Sequence, residues 1–503
     1  MKKQAPAKTV STRRTFLKYG SGFGVALAWP NSRVIGANDD IRVGVVGVKG
    51  RGQSHIKGFT GVKGARVTAL CDVDPMYLDA RATLLASQQK MKVKSFSDMR
   101  EMLEKGDIDA FSTATPNHWH ALAGIWAMQA GKDAYVEKPI SHNVWEGRQL
   151  VKAARKYKRI CQGGTQLRSM EQIANAVAYA RSGELGKLQF GKGLCYKPRT
   201  SIGSGGGGEI PEGLDYDLWC GPAPIEKPLR RKRFHYDWSW FYAYGNADTG
   251  NQGIHQMDIA RWFMGEQKLS PRVISIAGRL GYKDDGETPN TQIAFHDYEA
   301  APLIFETRAL PRDKASQETE WGKNMNHPEE FPKEIGISVV IQYEHGRVFC
   351  SNSGMIKVTD NKGVETKKIE GSRDGNAHFS NFIEAMRSRK SSDLKADCEE
   401  THISSALCHT GLVSHRIGTQ VHDAKVREAI KGDGLLAGRY AAMEEHLRLN
   451  EVNLAKETIS LGPWLKFNPE SEWFEGNEGD LDEKANRLAT REYRKPYVVP
   501  AEV

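Results

Sequence analysis

The sequence predicts an α/β protein with two domains: a doubly wound parallel sheet, followed by an open, mostly antiparallel sheet. Up to residue 165, short apolar runs alternate with helical patterns, as in a parallel sheet covered by helices on both faces. After about residue 188, strand-like segments follow one another with few helices between them. A chain of 503 residues is also too long for one hydrophobic core. We therefore place the domains at 38–165 and 166–430, with a C-terminal extension at 431–503.

The first 37 residues read as an export signal rather than as part of the fold. Thr12-Arg-Arg-Thr-Phe-Leu-Lys18 matches the twin-arginine signal, and an apolar stretch rich in Gly and Ala follows it. That stretch is too short to span a bilayer, so we expect no stable membrane insertion. Cleavage after Ala28 or after Ala37 fits the pattern. We expect a periplasmic or secreted protein that is exported in the folded state.

Charge and cysteine content narrow the possible partners. Without residues 1–37, which hold seven Lys or Arg and no acid, the formal net charge falls from +9 to +2, so composition gives no case for nucleic acid. The seven cysteines form no C-x-x-C pair, and their number is odd. The sequence therefore predicts neither a disulfide framework nor a metal site.

The first element of the fold is a β-branched run, Ile41-Arg-Val-Gly-Val-Val46, which ends in a glycine-dense turn with Gly47, Gly50 and Gly52. A strand, a tight turn and a helix in this order form the entry of a dinucleotide-binding Rossmann domain, because backbone N–H groups and the helix N-terminus face a pyrophosphate. Lys49 stands where the second glycine of the motif is expected. Either the turn is wider there, or the lysine ammonium folds over the phosphates.

The second strand, at 65–71, is followed by an acid that selects the cofactor. Asp72 lies twenty residues after Gly52, where a carboxylate binds a ribose diol and repels a 2′-phosphate. The predicted cofactor is therefore NAD rather than NADP.

Further strands are predicted at 108–114, 133–137 and 159–163, and a helix at 117–130. Two polar motifs, Thr113-Ala-Thr-Pro-Asn-His-Trp-His120 and Tyr135-Val-Glu-Lys-Pro-Ile140, fall at carboxyl ends of strands, where a cofactor binds in such a sheet. Lys138, partly buried beside a cationic nicotinamide, would have a lowered pKa and could deprotonate a substrate hydroxyl. The alternative is a surface lysine before a turn-forming proline. His118 and His120 point in different directions on a helix and do not form a metal pair.

In the second domain we predict strands at 188–196, 272–278, 292–295, 302–310 and 335–348, with a flexible glycine-rich loop at 201–213. The extension is charged and helical before Trp464 and extended after it. It packs over the body of the protein or against a second subunit.

A third motif, Gly253-Ile-His255-Gln-Met-Asp258, follows a Gly/Asn-rich loop and opens an amphipathic helix. His255 and Asp258 share a helix face, so the carboxylate can orient the imidazole. The alternative is a buried structural histidine.

Aromatic and polar residues are dense in Tyr196-Lys-Pro-Arg199 and in Arg233-Phe-His-Tyr-Asp-Trp-Ser-Trp240. Flat rings beside hydrogen-bonding groups suit a sugar. The basic run before Phe234 would also suit nucleic acid, but export makes a solvated charged loop the better explanation.

Together these motifs resemble the Gfo/Idh/MocA oxidoreductase family, whose members include glucose–fructose oxidoreductase, inositol dehydrogenase and the family 109 glycosidases. The resemblance covers about 41–350, and the ending Arg491-Glu-Tyr-Arg-Lys-Pro-Tyr-Val-Val-Pro500 is similar to a bacterial C-terminal extension. It implies acid–base roles for Lys138 and His255. Where the family often has Asp-x-Gly-x-His, this chain has Asn251, an amide that can orient a hydroxyl but cannot take its proton.

The resulting site predictions fall into two groups. For the cofactor we predict Gly47, Lys49, Gly50, Arg51, Gly52, Asp72, Thr115, Asn117, His120, Glu137, Lys138 and Gln166. For the substrate we predict Tyr196, Arg199, His235, Trp238, Asn251, His255 and Asp258.

An exported nucleotide enzyme should keep its cofactor, because the periplasm offers no free NAD pool. The main hypothesis is an NAD-dependent oxidoreductase that oxidises a ring hydroxyl of a carbohydrate with tightly bound cofactor. One alternative is an NAD-dependent glycoside hydrolase that works by transient C3 oxidation and elimination. A second is a sugar- or nucleotide-binding protein without turnover. The resemblance also implies a homo-oligomer, a dimer or tetramer.

Overall fold

The computed structural model describes residues 40–323 and 336–503, so the predicted export signal lies outside the described residues. Its first sheet is built from six parallel strands in the order β3-β2-β1-β4-β5-β6. The strands are β1 (Ile41–Val46), β2 (Ala65–Cys71), β3 (Lys94–Phe96), β4 (Ala110–Thr113), β5 (Asp133–Val136) and β6 (Cys161–Gly163). The apolar runs predicted five of these strands, and the short, largely exposed β3 was missed.

Helices connect these strands: α1 (Arg51–Thr60), α2 (Pro75–Gln89), α3 (Met99–Lys105), α4 (His120–Gln129) and α5 (Val144–Lys156). Side chains cap them where the sequence offers a cap: Asp74 accepts from the backbone of Met76 at α2, and Asn143 from that of Glu146 at α5. The helix predicted at 117–130 begins with a 3-10 turn, Asn117–Trp119, before α4. The strand order changes direction between β1 and β4, so a crevice opens at their carboxyl ends.

The second sheet is mixed and mostly antiparallel, as predicted, with the order β14-β13-β12-β11-β7-β10-β9-β8-β16-β15. Only β7 and β10 run parallel among its described pairs. Its strands are β7 (Leu188–Tyr196), β8 (Arg272–Gly278), β9 (Thr291–His296), β10 (Leu303–Arg308), β11 (Ile337–Tyr343), β12 (Gly346–Ser351), β13 (Ile356–Asp360), β14 (Glu365–Lys367), β15 (Thr419–Val421) and β16 (Ile459–Leu461); β17 (Leu465–Asn468) pairs with β8 and with β18 (Trp473–Phe474). The single strand predicted at 335–348 was wrong: β11 and β12 form a hairpin that turns at residues 344–345.

Two short helices, α6 (Glu171–Ala180) and α7 (Tyr216–Cys220), precede α8 (Ile254–Met264), which lies on the inner face of the second sheet. A Cβ at Gly193 of β7 would lie 2.8 Å from the Cβ of Gln256 in α8, so the missing side chain allows helix and strand to approach closely.

The next two helices pack on the first domain. In α9 (Ala377–Ser388) the Phe379 ring stacks on Tyr135 of β5, with centroids 5.4 Å apart. Helix α10 (Cys398–Arg416) lies against α5 and also against β8 and α8, so it joins the two sheets. This contact could not be read from local periodicity.

The C-terminal extension packs over the body of the protein, one of the two placements that we expected. Helices α11 (Asp423–Ile430) and α12 (Gly434–Leu449) cover apolar residues of β8, β9 and β10. After α13 (Leu481–Ala489), the last residues return to the first domain, where Tyr497 packs edge-on against Trp119. Across the described ranges, every helix is too short or too polar to cross a membrane.

Candidate active site

A cavity of about 650 Å³ follows the carboxyl edge of the first sheet and ends against the second domain. Its floor begins at the glycine turn. Gly47 has φ +79°, and a Cβ there would lie 2.8 Å from the Ala114 carbonyl oxygen. A Cβ at Gly52 would overlap the Gly47 carbonyl oxygen. Both positions therefore require glycine, and the turn exposes backbone rather than side chain to the cavity.

The Lys49 ammonium lies 4.0 Å from the centroid of the Tyr77 ring, beside the second strand's end of the cavity. The lysine in place of the second motif glycine thus extends away from the turn along the cavity wall. Gly50, with φ +54°, supplies the left-handed backbone that the turn needs.

Asp72 follows β2 and faces the same end of the cavity. Its carboxylate accepts hydrogen bonds from the backbone N–H groups of Val48, at 2.8 Å, and Asp74, at 3.0 Å. Burial raises the pKa of Asp72, and the backbone donors oppose that rise. A desolvated carboxylate held by the glycine turn is the acceptor that a ribose diol needs.

Glu137, at the end of β5, is buried in a network of donors. Its carboxylate accepts from Arg51 Nε at 2.7 Å, from Gln166 at 3.1 Å and from the Lys138 backbone N–H at 3.1 Å, and it lies 3.0 Å from His55 Nε2. Burial alone would raise its pKa, but the Arg51 charge and the His55 contact hold the pKa well below its usual value. Gln166 lies behind Glu137 and is not a wall of the cavity, whereas Arg51 and Glu137 both face it.

Lys138 brings the two domains together. Its ammonium donates to the Asn251 backbone oxygen at 2.5 Å and lies 3.3 Å from the Asn251 side-chain oxygen. Burial lowers the pKa of Lys138, while the neighbouring Glu137 raises it. The second domain presents Asn251 on a π-helical turn, Thr249–Gly253, directly before α8. Such wide turns recur at functional sites because they re-aim the side chains they carry.

His255 lies one turn after Asn251 on the same helix face. Burial and the Lys138 charge lower its pKa to about 3, so the imidazole is neutral. Its Nδ1 is buried and has no hydrogen-bond partner among the described residues. The Lys138 charge thus acts on His255, although His255 itself is not a wall of the cavity.

Three substrate predictions meet a different environment in the structure. Asp258 does not orient His255: its carboxylate accepts from Arg168 Nε at 2.9 Å and from the Ser404 hydroxyl at 2.7 Å. The buried Arg168 guanidinium, from the 3-10 turn after β6, is the stronger partner for a buried carboxylate.

The other two belong to the end of β7. Tyr196 is fully buried on the outer face of the second sheet, where its hydroxyl donates to Glu306 at 3.0 Å. Alternation along the strand points this side chain away from α8 and the cavity. Arg199 is held by Asp248 in a two-pronged ion pair and donates to the Tyr236 hydroxyl at 2.7 Å. Arg199 therefore holds Tyr236, which lines the cavity, but does not line the cavity itself.

Five further predicted residues line the cavity, namely Thr115, Asn117, His120, Trp238 and Asn251, whereas Gly52 and His255 do not. His235 also lines it, but beside the nucleotide end: its Nε2 lies 2.9 Å from the Asp74 carboxylate, and its ring meets Tyr77 edge-on. It was predicted to bind substrate.

A covering segment that was not predicted, residues 214–238, lies across the open side of the cavity. It is tied to the first domain by the Asp215 N–H donating to the Val73 carbonyl oxygen at 3.2 Å and by the His235–Asp74 contact. Leu218, Trp219 and Phe234 of this segment face the cavity. The aromatic residues at 233–240 were the available signal, and they were assigned to the substrate alone.

A glycine turn at a parallel-sheet edge, an acid after the second strand and a buried lysine that contacts the second domain are typical of a dinucleotide-dependent oxidoreductase. Family models agree: residues 41–165 match the "Oxidoreductase family, NAD-binding Rossmann fold", and residues 205–328 match its "C-terminal alpha/beta domain". The chain belongs to the Gfo/Idh/MocA family. This confirms the predicted resemblance, the fold class and the NAD-binding domain.

Curated relatives include a glycosyl hydrolase family 109 protein of Shewanella pealeana, 31% identical over 163 residues, which are 32% of this chain and 36% of that protein. A second, from Shewanella sp. strain MR-4, is 32% identical over 156 residues, which are 30% of this chain and 34% of the relative. The alignments thus span about a third of the length of these relatives.

Two solved structures show the same fold at low identity. The WlbA dehydrogenase of Chromobacterium violaceum, solved with NADH and UDP-GlcNAcA, has a TM-score of 0.55 at 18% identity and covers 76% of this chain and 95% of its own. The scyllo-inositol dehydrogenase of Lactobacillus casei, solved with NAD(H) and scyllo-inositol, has a TM-score of 0.51 at 17% identity and covers 74% and 95%.

Proposed function

We propose that this protein is an NAD-dependent oxidoreductase that acts on a carbohydrate ring hydroxyl and keeps its cofactor through many turnovers. The observation that carries the proposal is the contact of Lys138 with Asn251 at the wall of the cavity that also holds the glycine turn, with His255 one helical turn after Asn251. A base and a hydrogen-bonding amide thus face the place where the nucleotide cavity ends.

The residues present fit the dinucleotide. Gly47 and Gly52 leave the turn's backbone open to a pyrophosphate, and Asp72 offers its carboxylate to a ribose diol. Bound NAD would supply a hydride acceptor for the carbon that carries the hydroxyl.

The chain's own residues would handle the proton. Lys138, with its pKa lowered by burial, can give up its proton to solvent and then take one from the substrate hydroxyl. The neutral His255 imidazole can accept a hydrogen bond from that hydroxyl or relay its proton. Asn251 cannot accept a proton, so its amide would orient a neighbouring hydroxyl.

A carbohydrate is supported by the walls near this pair. The rings of Tyr236 and Trp238 line the cavity beside polar groups, which suits a ligand with an apolar face and a hydroxylated rim. The two structural neighbours described above were solved with a sugar nucleotide and with a cyclic polyol, and these ligands support a carbohydrate as the substrate class.

Cofactor retention is supported by the covering segment. Its ties to Val73 and Asp74 lie across the nucleotide end, so release of the cofactor would require both contacts to open.

We also propose periplasmic export of the folded, loaded enzyme, on the basis of the twin-arginine motif at residues 12–18. Replacing both arginines of that motif by lysine should keep the protein in the cytoplasm, and cell fractionation would measure this.

The first test is to denature the purified protein and assay the supernatant for NAD. We expect close to one nucleotide per chain. An active protein free of nucleotide would refute retention. His235→Ala should release bound NAD faster during dialysis, whereas Arg448→Gln, at an exposed position on α12, should not.

The second test is to screen sugars and glycosides while following the absorbance of bound NADH. Lys138→Ala should abolish the signal, while Lys132→Ala, which changes a partly buried lysine at the amino end of β5, should retain it. Unchanged biological activity in Lys138→Ala, with no turnover in the wild type, would favour the remaining hypothesis, a sugar- or nucleotide-binding protein without turnover.

A second candidate function is glycoside hydrolysis without net redox change, which the family 109 relatives favour. Oxidation at C3 would acidify the neighbouring C–H, the glycosidic oxygen would leave by elimination, and water would add before the ketone is reduced again. Hydrolysis in deuterated water would then place deuterium at C2 of the released sugar. Release of sugar without C2 deuterium would exclude this route.

We further propose a homo-oligomer. Because α11 and α12 already cover β8 to β10, a contact through the outer sheet face would have to use the strands beyond β10. Light scattering on the purified protein would give the number of subunits.

A further inference from the structure

A second cavity, of about 250 Å³, lies behind the loop that follows Lys138. The loop residues 142 and 143, the end of α10 and the C-terminal extension line it. Asn246 separates it from the first cavity: its side chain donates to the His142 carbonyl oxygen at 3.1 Å and accepts from Asn117, which lines the first cavity, at 3.1 Å. This second cavity has no place in the function proposed above.

Three arginines and one exposed glutamate, Glu492, line this second cavity. Arg416 lies with its guanidinium 4.5 Å from the centroid of the Tyr242 ring, and within the described ranges no carboxylate is at ion-pair distance from it. Burial lowers the pKa of Arg416, and Tyr242 and Glu287 act against that shift. The lining arginines Arg487 and Arg491 pair with Glu483 and Glu146, so Arg416, which is also open to solvent, is the lining arginine without an ion pair among the described residues.

Several buried polar atoms of the lining also lack partners among the described residues. They are His409 Nδ1, His142 Nε2 and the Tyr242 hydroxyl. His409 is only 3% exposed, and burial holds the pKa of both histidines below the usual range, so each neutral ring can donate one hydrogen bond and accept one. Buried groups of this kind are normally satisfied by a ligand or by ordered water.

We propose that this second cavity binds a small polyhydroxylated carboxylate, of the size of a monosaccharide acid. Arg416 would hold the carboxylate, and the two imidazoles and the Tyr242 hydroxyl would pair with hydroxyl groups. The volume equals that of about eight water molecules, which is too small for a nucleotide. An anion without hydroxyl groups would pair with Arg416. It would leave the two imidazoles and the Tyr242 hydroxyl, which both donate and accept hydrogen bonds, without complementary partners.

The test is isothermal titration of the full-length protein, as purified, with D-gluconate, D-glucose and inorganic phosphate at equal ionic strength. We expect gluconate to bind and the other two to bind at least about 10-fold more weakly. Arg416→Gln should weaken gluconate by about 10-fold or more, because a hydrogen bond to a charged group is lost. Arg448→Gln, at an exposed site, should leave gluconate binding unchanged.

Tyr242→Phe gives a second variant that keeps the ring beside Arg416 and removes a hydroxyl without an internal partner, so folding should be unaffected. It should weaken gluconate by about 2- to 10-fold. Gluconate binding that is lost in Lys138→Ala but kept in Arg416→Gln would place the ligand in the first cavity and overturn the proposal. Absence of gluconate binding, or phosphate binding as tight as gluconate, would overturn it as well.

Discussion

Replacing Glu137 by glutamine should change both stability and the pH dependence of turnover. The carboxylate is 3% exposed and is held by Arg51, His55 and Gln166. Glutamine has nearly the same shape but carries no charge, and its NH₂ group would face one of these donors. The substitution therefore removes an ion pair and sets a donor against a donor.

The loss of stability can be estimated from these contacts. Hydrogen bonds to a charged group contribute about 1.5–3 kcal/mol each, and breaking a buried ion pair costs about 3–5 kcal/mol. The Arg51 side chain is 41% exposed, so solvent screening reduces its share. We expect the free energy of unfolding at pH 7 to fall by about 2–3 kcal/mol. Because the folded-state pKa of Glu137 is depressed, this contribution is present above its unfolded pKa and disappears as the pH falls through the folded value.

The same change should act on Lys138. The Glu137 charge raises the pKa of Lys138, so its removal lowers that pKa further. If neutral Lys138 is the base, the rising limb of the pH profile of kcat/KM moves to lower pH in Glu137→Gln. Turnover would be measured by NADH absorbance from pH 5 to 10, and stability by urea denaturation.

Glu472→Gln is the matched control, because Glu472 is also a buried carboxylate held by an arginine and a histidine, but it lies outside the cavity. It should lose stability and keep the wild-type pH profile. A rising limb that stays in place or moves to higher pH in Glu137→Gln would refute the assignment of Lys138 as the base.

Three further predictions concern the cavity floor and the helix behind His255. Gly52→Ala should yield folded protein with little bound NAD, because a Cβ at residue 52 would overlap the Gly47 carbonyl oxygen. Bound NAD would be measured after denaturation, and a wild-type NAD content would contradict the prediction. Asp72→Asn should reduce the preference for NAD over NADP by about 10-fold or more in binding titrations, because one charged acceptor is lost; an unchanged ratio would contradict it. Asp258→Asn should lower the free energy of unfolding by about 3 kcal/mol, the lower end for a broken buried ion pair, because the buried Arg168 keeps only its ion pair with Glu400 at 3.2 Å. A loss of activity without a loss of stability would instead indicate a direct role.

Much of the fold could be predicted because its signals are local. The β-branched run before Gly47 and the acid at Asp72 lie within one strand–helix–strand unit, and short-range sterics fix both. The same applies to the polar motif before His120, where a strand must end before a helix can begin. These features define the nucleotide end of the cavity.

The errors arose where the partner is distant along the chain. Helical spacing predicted that Asp258 would lie beside His255. The buried carboxylate instead pairs with Arg168, which lies 90 residues earlier and is a stronger donor than an imidazole. Tyr196 was assigned to the substrate from its aromatic neighbourhood, while the strand register turns it toward Glu306 and the extension's Arg439. Composition carries no information on which face of β7 meets which helix.

The hydrogen bond between Lys138 and Asn251 has a direct consequence for turnover. The ammonium has three donors, of which one goes to the Asn251 backbone oxygen at 2.5 Å and a second to the side-chain oxygen of the same residue at 3.3 Å. The third donor is left for a substrate hydroxyl, and the longer of the two contacts to Asn251 is the weaker. The Asn251 side chain therefore lies beside the place where a substrate hydroxyl would meet Lys138. It can rotate to a neighbouring hydroxyl without leaving its backbone position, because the amide, unlike the aspartate common in the family, carries no charge that attracts the ammonium.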